Sequence, residues 1–263
     1  MFPTLFQFGP ITIQTYLVVV VLAILTMGYS WWQRSQEEHY DDLVFFDGFW
    51  QAIFFGLLVS RTVYVVFHFS QFGLDPLTWF DIFSKPGISY LGWVMGASFF
   101  MYRFAGKQKW QPFEILDFWV RALSLGAVVA WTGFFIAGVE YGSTTTLPWG
   151  WQFPGLFDTR HPSQLYAAAM CLALTLVLNW AEFRYRSFEW YKGAKNVAQP
   201  GFVLGAALFL GGFGMGILSL FTPHKFQIGS IGLDPFLYPV LALLGMVLIL
   251  VRAGYLFPNR DSA

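Results

Sequence analysis

Charge is what this sequence has least of. Lysine, arginine, aspartate and glutamate make up 11% of its 263 residues, whereas a soluble domain carries about 25%. So few charges cannot cover a water-facing surface. Fifteen cationic and fifteen anionic side chains cancel, leaving no basic face to neutralise phosphates, so nucleic acid is excluded as a partner. Cysteine is nearly absent as well. The single thiol, Cys171, lies in an apolar run; it can form no internal disulfide, has no metal-ligand spacing around it, and reads as a small buried side chain. The opening MFPTLFQFGP has no charge, and so neither the basic start nor the small-residue cleavage site of a signal peptide. The first apolar stretch is therefore expected to be a retained helix.

What is abundant is apolar surface, with 56% hydrophobic residues and 21% aromatics. The hydrophobic runs fall at 11–32, 46–68, 88–104, 117–139, 163–182, 200–222 and 236–254. A helix needs about 20 apolar residues to cross a bilayer, so these runs predict an all-α, polytopic transmembrane bundle of about seven spans. They are too long for barrel strands, which alternate over about ten residues. The third run is the shortest. The sixth carries Gly201 and Gly205, then Gly212 and Gly216, a spacing that lets helices approach closely and predicts a position inside the bundle. No linker or low-complexity tract divides the chain, so 1–263 reads as one integral membrane domain. No internal repeat suggests a transporter.

Basic residues in the loops set the orientation. With the N-terminus outside and the C-terminus cytoplasmic, the inner segments hold Arg34, Arg103, Lys107, Lys109, Arg184, Arg186, Lys192, Lys195, Arg252 and Arg260, against Lys85, Arg160 and Lys225 outside. The outer loops at 69–87 and 140–162 are long and aromatic. Trp149, Trp151, Phe153 and Phe157 suit the membrane interface, and the second loop is expected to lie on the outer surface and dip toward the bundle. The loop at 183–199 is the charged cytoplasmic one.

Arg61, Asp117 and Arg121 fall in or beside apolar runs, where an ionised side chain costs about 2.5–3.5 kcal/mol at a helix centre. Asp117 and Arg121, four residues apart, share a helix face and are read as a structural pair. Arg61 has no carboxylate within a helical turn. Its partner is either a lipid phosphate, gripped by two parallel hydrogen bonds, or a group on another helix. In RHPSQLY (160–166), Pro162 suits the first position of a helix. Arg160 and His161 then meet the membrane interface beside a helix N-terminus, a natural anion site, with Ser163, Gln164 and Tyr166 in the first turn. A plain helix start with polar anchors fits these residues as well.

RHPSQLY also resembles the bacterial prolipoprotein diacylglyceryl transferases, and is highly specific for them. GPITIQTY (9–16), ending in Tyr16, is similar to the family's opening segment. SRTVYVVF (60–67) is similar to its GRxxYV stretch, with Arg61 retained. FSQFGLDPLTWF (69–80), the segment 117–142 and GFVLGAALFLGGFGMGI (201–217) follow in order. The resemblance implies seven helices in the bacterial inner membrane. It also implies transfer of diacylglyceryl from phosphatidylglycerol to the lipobox cysteine of a prolipoprotein signal peptide, with no metal or other cofactor. Tyr16, Arg61, Arg160, His161, Ser163, Gln164 and Tyr166 become candidate lipid-binding residues.

The departures concern the family's polar centre. Its SFHGG becomes Ser89-Tyr90-Leu91-Gly92-Trp93, with Leu91 at the histidine position. In its GRxGNFxNxE, the arginine is Trp131, the asparagines are Phe134 and Ala137, and the glutamate survives as Glu140, one place out of register. An arginine and a glutamate of the sixth helix are Met215 and Ser219. The remaining catalytic candidates are His161, Tyr90 and Glu140. Two readings follow: a diverged transferase, or a catalytically degenerate relative that binds phospholipid or lipoprotein signal segments, since each lost donor to a developing anion costs about 100–1,000-fold in rate.

Overall fold

The computed structural model describes residues 1–9, 11–82, 84–185, 199–223, 226–228 and 231–253. Arg186, Lys192, Lys195, Lys225 and Arg260, counted for orientation above, lie outside the described residues, as does most of the 183–199 loop. The chain begins with an antiparallel hairpin, β1 (Thr4–Phe8) and β2 (Ile11–Gln14), in which Phe8 pairs with Ile11 and Thr4 with Gln14. Residues 11–14 were expected to open the first span. They form a strand instead, because the β-branched run Ile11-Thr12-Ile13 favours extended backbone.

Helix α1 (Thr15–Glu38) follows, then α2 (Asp42–Phe67). His39 adopts a left-handed conformation to end α1, and the Asp41 carboxylate caps α2 by accepting from the Val44 N–H at 3.1 Å. Two short helices, α3 (Phe69–Phe72) and α4 (Pro76–Phe80), lead into α5 (Tyr90–Lys107). Helix α6 (Pro112–Ala137) starts on a proline and stops at Gly138, whose φ of 75° is left-handed. Strands β3 (Trp151–Gln152) and β4 (Thr159–Arg160) form a small ribbon before α7 (Ser163–Tyr185). Then come α8 (Phe202–Leu218), the ribbon β5 (Gln227–Ile228) and β6 (Ile231–Gly232), and α9 (Asp234–Arg252).

The protein is thus mostly helical. Helices α1, α2, α6, α7 and α9 are long and apolar enough to cross a membrane, and α8 is a shorter apolar helix. The most extensive pairings are α8 with α9, α2 with α5, α1 with α6, and α6 with α7. Glycine sets the α8–α9 separation. A Cβ on Gly212 would lie 2.7 Å from the Ala242 backbone nitrogen, and one on Gly245 would lie 2.3 Å from that of Phe209. The two backbones touch directly, as small residues in membrane helices allow. The working glycines of α8 are therefore Gly205 and Gly212, seven residues apart, while Gly201 serves as its left-handed N-cap. The helix is not enclosed as expected: Phe213 and Ile217 are exposed on its outer face.

Asp117 and Arg121 do not form the pair that their spacing suggests. The Asp117 carboxylate accepts from the backbone N–H groups of Gly201 and Leu204, each at 2.7 Å, and so caps α8 from α6. Four backbone N–H groups at a helix start have no partner within the helix, and a buried carboxylate satisfies two of them here. Arg121 turns to α7, donating to Asn179 at 2.8 Å and pairing with Glu182. Arg34 of α1 meets the same Glu182 carboxylate at 2.6 Å. This cluster of two half-buried arginines on a buried glutamate fastens α1, α6 and α7 near the aromatic core of Trp31, Phe45, Phe49, Phe118 and Trp119.

Candidate functional site

The other end of the bundle gathers the C-termini of α2, α6 and α8 and the N-termini of α1, α5 and α7. Phe2 donates its N–H to the Ile136 carbonyl at 2.9 Å, tying the N-terminal hairpin to α6. Ser89 caps α5 through its hydroxyl, which accepts from the Gly92 N–H at 3.1 Å, and its own N–H donates to Ser60 Oγ at 3.0 Å. Tyr90 therefore begins α5 one residue beyond the Ser89–Ser60 contact.

Arg61 is 7% exposed. Its Nε donates to the Trp79 carbonyl at 2.7 Å, Nη1 to Gly87 at 2.9 Å and Nη2 to Asp81 at 3.0 Å. The guanidinium also lies 4.9 Å from the Phe72 ring centroid. Of the two partners left open by the sequence, the structure supplies a structural one: the Trp79 carbonyl of the short helix α4 and the Asp81 and Gly87 carbonyls of the chain that follows it. Three of the five guanidinium N–H groups are thereby committed, and the other two have no partner among the described residues.

The RHPSQLY segment is bound through its backbone and side chains to the chain that follows α6. The His161 N–H donates to the Ser143 carbonyl at 3.0 Å, and the Gly142 N–H donates to the His161 carbonyl at 2.9 Å. Helix α7 begins at Ser163, with the Pro162 carbonyl accepting from the Leu165 N–H at 2.9 Å. Pro162 thus caps the helix, one place earlier than expected. The His161 ring is 8% exposed, packs 5.1 Å from the Phe221 ring, and places Nδ1 3.4 Å from the Tyr166 hydroxyl. Ser163 Oγ donates to the Glu140 carbonyl at 3.0 Å, and Gln164 Nε2 donates to the Val139 carbonyl at 2.6 Å. Gln164 Oε1 is buried with no hydrogen-bond partner among the described residues.

Glu140 is set in a left-handed backbone conformation, φ 63°, which is uncommon for a residue with a side chain. Its carboxylate accepts from the Tyr90 hydroxyl at 3.2 Å, bridging α5 and the α6–α7 connection. Around the pair are rings: Tyr90 lies 6.3 Å from both Trp131 and Phe134, which meet edge-on at 5.7 Å. Phe134 and Ala137 are buried, at 6% and 2% exposure.

Tyr90, Glu140, His161, Ser163, Gln164 and Tyr166 therefore belong to one bonded assembly, and Arg61 adjoins it through Ser60 and Ser89. Arg160 stands to the side, paired with Asp158 at 2.9 Å and 5.1 Å from the Tyr141 ring, with Nε buried and without a partner among the described residues. Tyr16, the second residue of α1, is 37% exposed and outside this network among the described residues. In the connecting loop, Phe153, expected at the interface with the other three rings, is buried instead, while Trp149, Trp151 and Phe157 are exposed. The carbonyls of Val139, Trp79, Asp81 and Gly87, and the ring of Phe221, are partners that sequence reasoning missed. Backbone carbonyls have no signature in a sequence, and Phe221 lies far from His161 along the chain. Ser89, three residues before Gly92, did carry the signature of an N-cap.

A family model described as prolipoprotein diacylglyceryl transferase matches residues 3–252. A phosphatidylglycerol–prolipoprotein diacylglyceryl transferase of Shewanella sp. (strain ANA-3) is 33% identical over 229 residues, 79% of this chain and 80% of the relative. The protein of that name from Wolbachia pipientis subsp. Culex pipiens is 27% identical over 275 residues, covering 98% of each chain. Another, from Coxiella burnetii (strain Dugway), is 30% identical over 188 residues, 68% of this chain and 69% of the relative. Since the matched span takes in every helix and ribbon described above, the chain belongs to the prolipoprotein diacylglyceryl transferase family.

Proposed function

We propose that this chain transfers the diacylglyceryl group of phosphatidylglycerol to the lipobox cysteine of a prolipoprotein, at the outer face of a bacterial inner membrane. The family match across residues 3–252 carries this reading. The assembly of Glu140, Tyr90 and the RHPSQLY segment at one end of the bundle supports the location. In the reaction the cysteine thiol loses its proton to a base. Its sulfur forms a thioether bond to the glyceryl carbon, and the bond from that carbon to the phosphate oxygen breaks. The electron pair leaves with glycerol phosphate.

The thiolate is the reactive form, so a base must stand within hydrogen-bond reach. Glu140 is the foremost candidate, since a carboxylate can take up a proton and the Tyr90 hydroxyl fixes one of its oxygens. His161 is the alternative base. Arg160 and Arg61 face the headgroup phosphate, with Tyr16 and Tyr166 lining its approach. Ser163 and Gln164, enclosed by the loop, serve the headgroup through that loop. The two further spans needed for seven are α5 and α8. One membrane domain over 1–263, with the N-terminus outside and the C-terminus cytoplasmic, puts the Glu140 end outside.

A specific observation favours a second reading. Leu91, Trp131, Phe134 and Ala137 stand where the family has histidine, arginine and asparagines, and Phe134 and Ala137 are buried against the candidate site. A relative stripped of these groups would bind phospholipid or signal segments without transferring. Purified protein, phosphatidylglycerol and a lipobox peptide decide between them, with a working family member run alongside. Thioether product is expected. Lipid retention without product would establish the second reading, and neither would sink both.

A further inference from the structure

Among the described residues, three that are not glycine have positive φ: His39, Lys109 and Glu140. His39 closes α1 and Lys109 follows the cap of α5, places where left-handed residues recur. Glu140 has no such reason, because Gly138 already ends α6. A second left-handed residue two positions further on, now with a Cβ, persists only where its surroundings over-determine it.

Those surroundings are two adjacent side chains. Ser163 Oγ takes the Glu140 carbonyl, and Gln164 Nε2 takes the carbonyl of Val139 just before it. Ser163 and Gln164 are 1% and 0% exposed, so neither can reach a headgroup without the loop lifting. The backbone pairing of Gly142 and Ser143 with His161 holds the next residues of the same turn. Two consecutive carbonyls are thus caught by two consecutive residues at the start of α7, with the turn directed so that the Glu140 carboxylate meets the Tyr90 hydroxyl.

We propose that Ser163 and Gln164 are positioning residues, which clamp the Val139 and Glu140 carbonyls and so hold the left-handed turn that aims the Glu140 carboxylate at Tyr90. Its catalytic consequence rests on the transferase reading; its structural content does not. The clamp gives Ser163 and Gln164 a role other than headgroup contact.

The test is a double-mutant cycle of Tyr90→Phe with Glu140→Ala, each of which removes the hydroxyl–carboxylate bond, read as apparent Tm of the purified full chain in detergent. In the natural protein the two changes are expected to be coupled, the pair lowering Tm by less than the sum of the singles. In a Ser163→Ala background the coupling is expected to vanish, and in Ser163→Thr, which keeps the hydroxyl, to persist. If Ser163→Ala does not fold, Gln164→Met, similar in length but without the donor, is expected to remove the coupling equally. In Glu140→Gly, where glycine adopts positive φ without strain, adding Ser163→Ala is expected to lower Tm less than it does in the natural protein. Where transfer is measurable, Ser163→Ala is expected to lower kcat about tenfold or more with KM for phosphatidylglycerol unchanged, as for a misplaced catalytic group. Coupling that survives in both Ser163→Ala and Gln164→Met, or no coupling in the natural protein, overturns the proposal; so does a raised KM with kcat kept. A natural protein that transfers nothing would sink the transferase reading alone.

Discussion

The two ends of the bundle draw on aromatic packing and on directional hydrogen bonds in different proportions. At the Arg34 end, Trp31 stacks on Phe45 at 4.1 Å and meets Trp119 edge-on at 5.7 Å, with all three fully buried. Aromatic burial is large and tolerant of small shifts in geometry. At the Glu140 end, distant segments meet through single hydrogen bonds from side chains to backbone, such as Gln164 to Val139 and Arg61 to Gly87. Each such bond is directional, and losing one leaves a buried polar group unpaired. One end is built to keep the helices together. The other is built to hold a few groups in defined places.

This contrast yields expectations that can be broken, beginning with the largest. Under the transferase reading, Glu140→Gln is expected to lower the transfer rate about 100-fold or more, the usual scale for a lost acid–base group. Thioether formation at an undiminished rate would remove Glu140 from the chemistry. Trp119→Ala is expected to destabilise by about 3–5 kcal/mol while lipid retention at moderate temperature persists. If retention falls in proportion to Tm, the two ends are not separable. Arg61→Ala withdraws a charged donor from three carbonyls, and charged hydrogen bonds contribute about 1.5–3 kcal/mol each. It is expected to make the 73–88 loop sensitive to limited proteolysis before global unfolding, and Arg61→Lys is expected to restore little, since an ammonium cannot reproduce the fork. Asp117→Ala removes the cap on α8 and is expected to lower stability by about 1–2 kcal/mol, seen as a reduced Tm with the Tyr90–Glu140 coupling intact. Smallest is Phe157→Ser in the 144–159 loop. That ring is fully exposed, so the stability change in detergent is expected to stay within about 0.5 kcal/mol.

Legibility in the sequence followed the same division. Hydrophobic runs announced the seven long helices, with ends displaced by up to six residues, because a membrane span needs a length of apolar chain that little else requires. They failed at residues 11–14, where an apolar β-branched run is equally a strand. RHPSQLY was legible as a segment, but the uses of its side chains were not. Ser163 and Gln164 looked like headgroup ligands and are bonded to carbonyls of residues 139 and 140. Asp117 and Arg121 looked like a pair because spacing shows only neighbours on the same helix. Their partners lie on α8 and α7, about sixty residues or more away.

From composition and run length alone came a helical membrane protein, and from its motifs came the family. Both depend on properties that each residue carries wherever it stands, its hydrophobicity and its identity. Only the packed chain decided that Arg61 staples a loop, that Asp117 caps a helix, and that Glu140 faces Tyr90 from a left-handed turn. Those facts depend on which backbone groups arrive beside which side chains, and pairings between distant segments are written only in the tertiary structure.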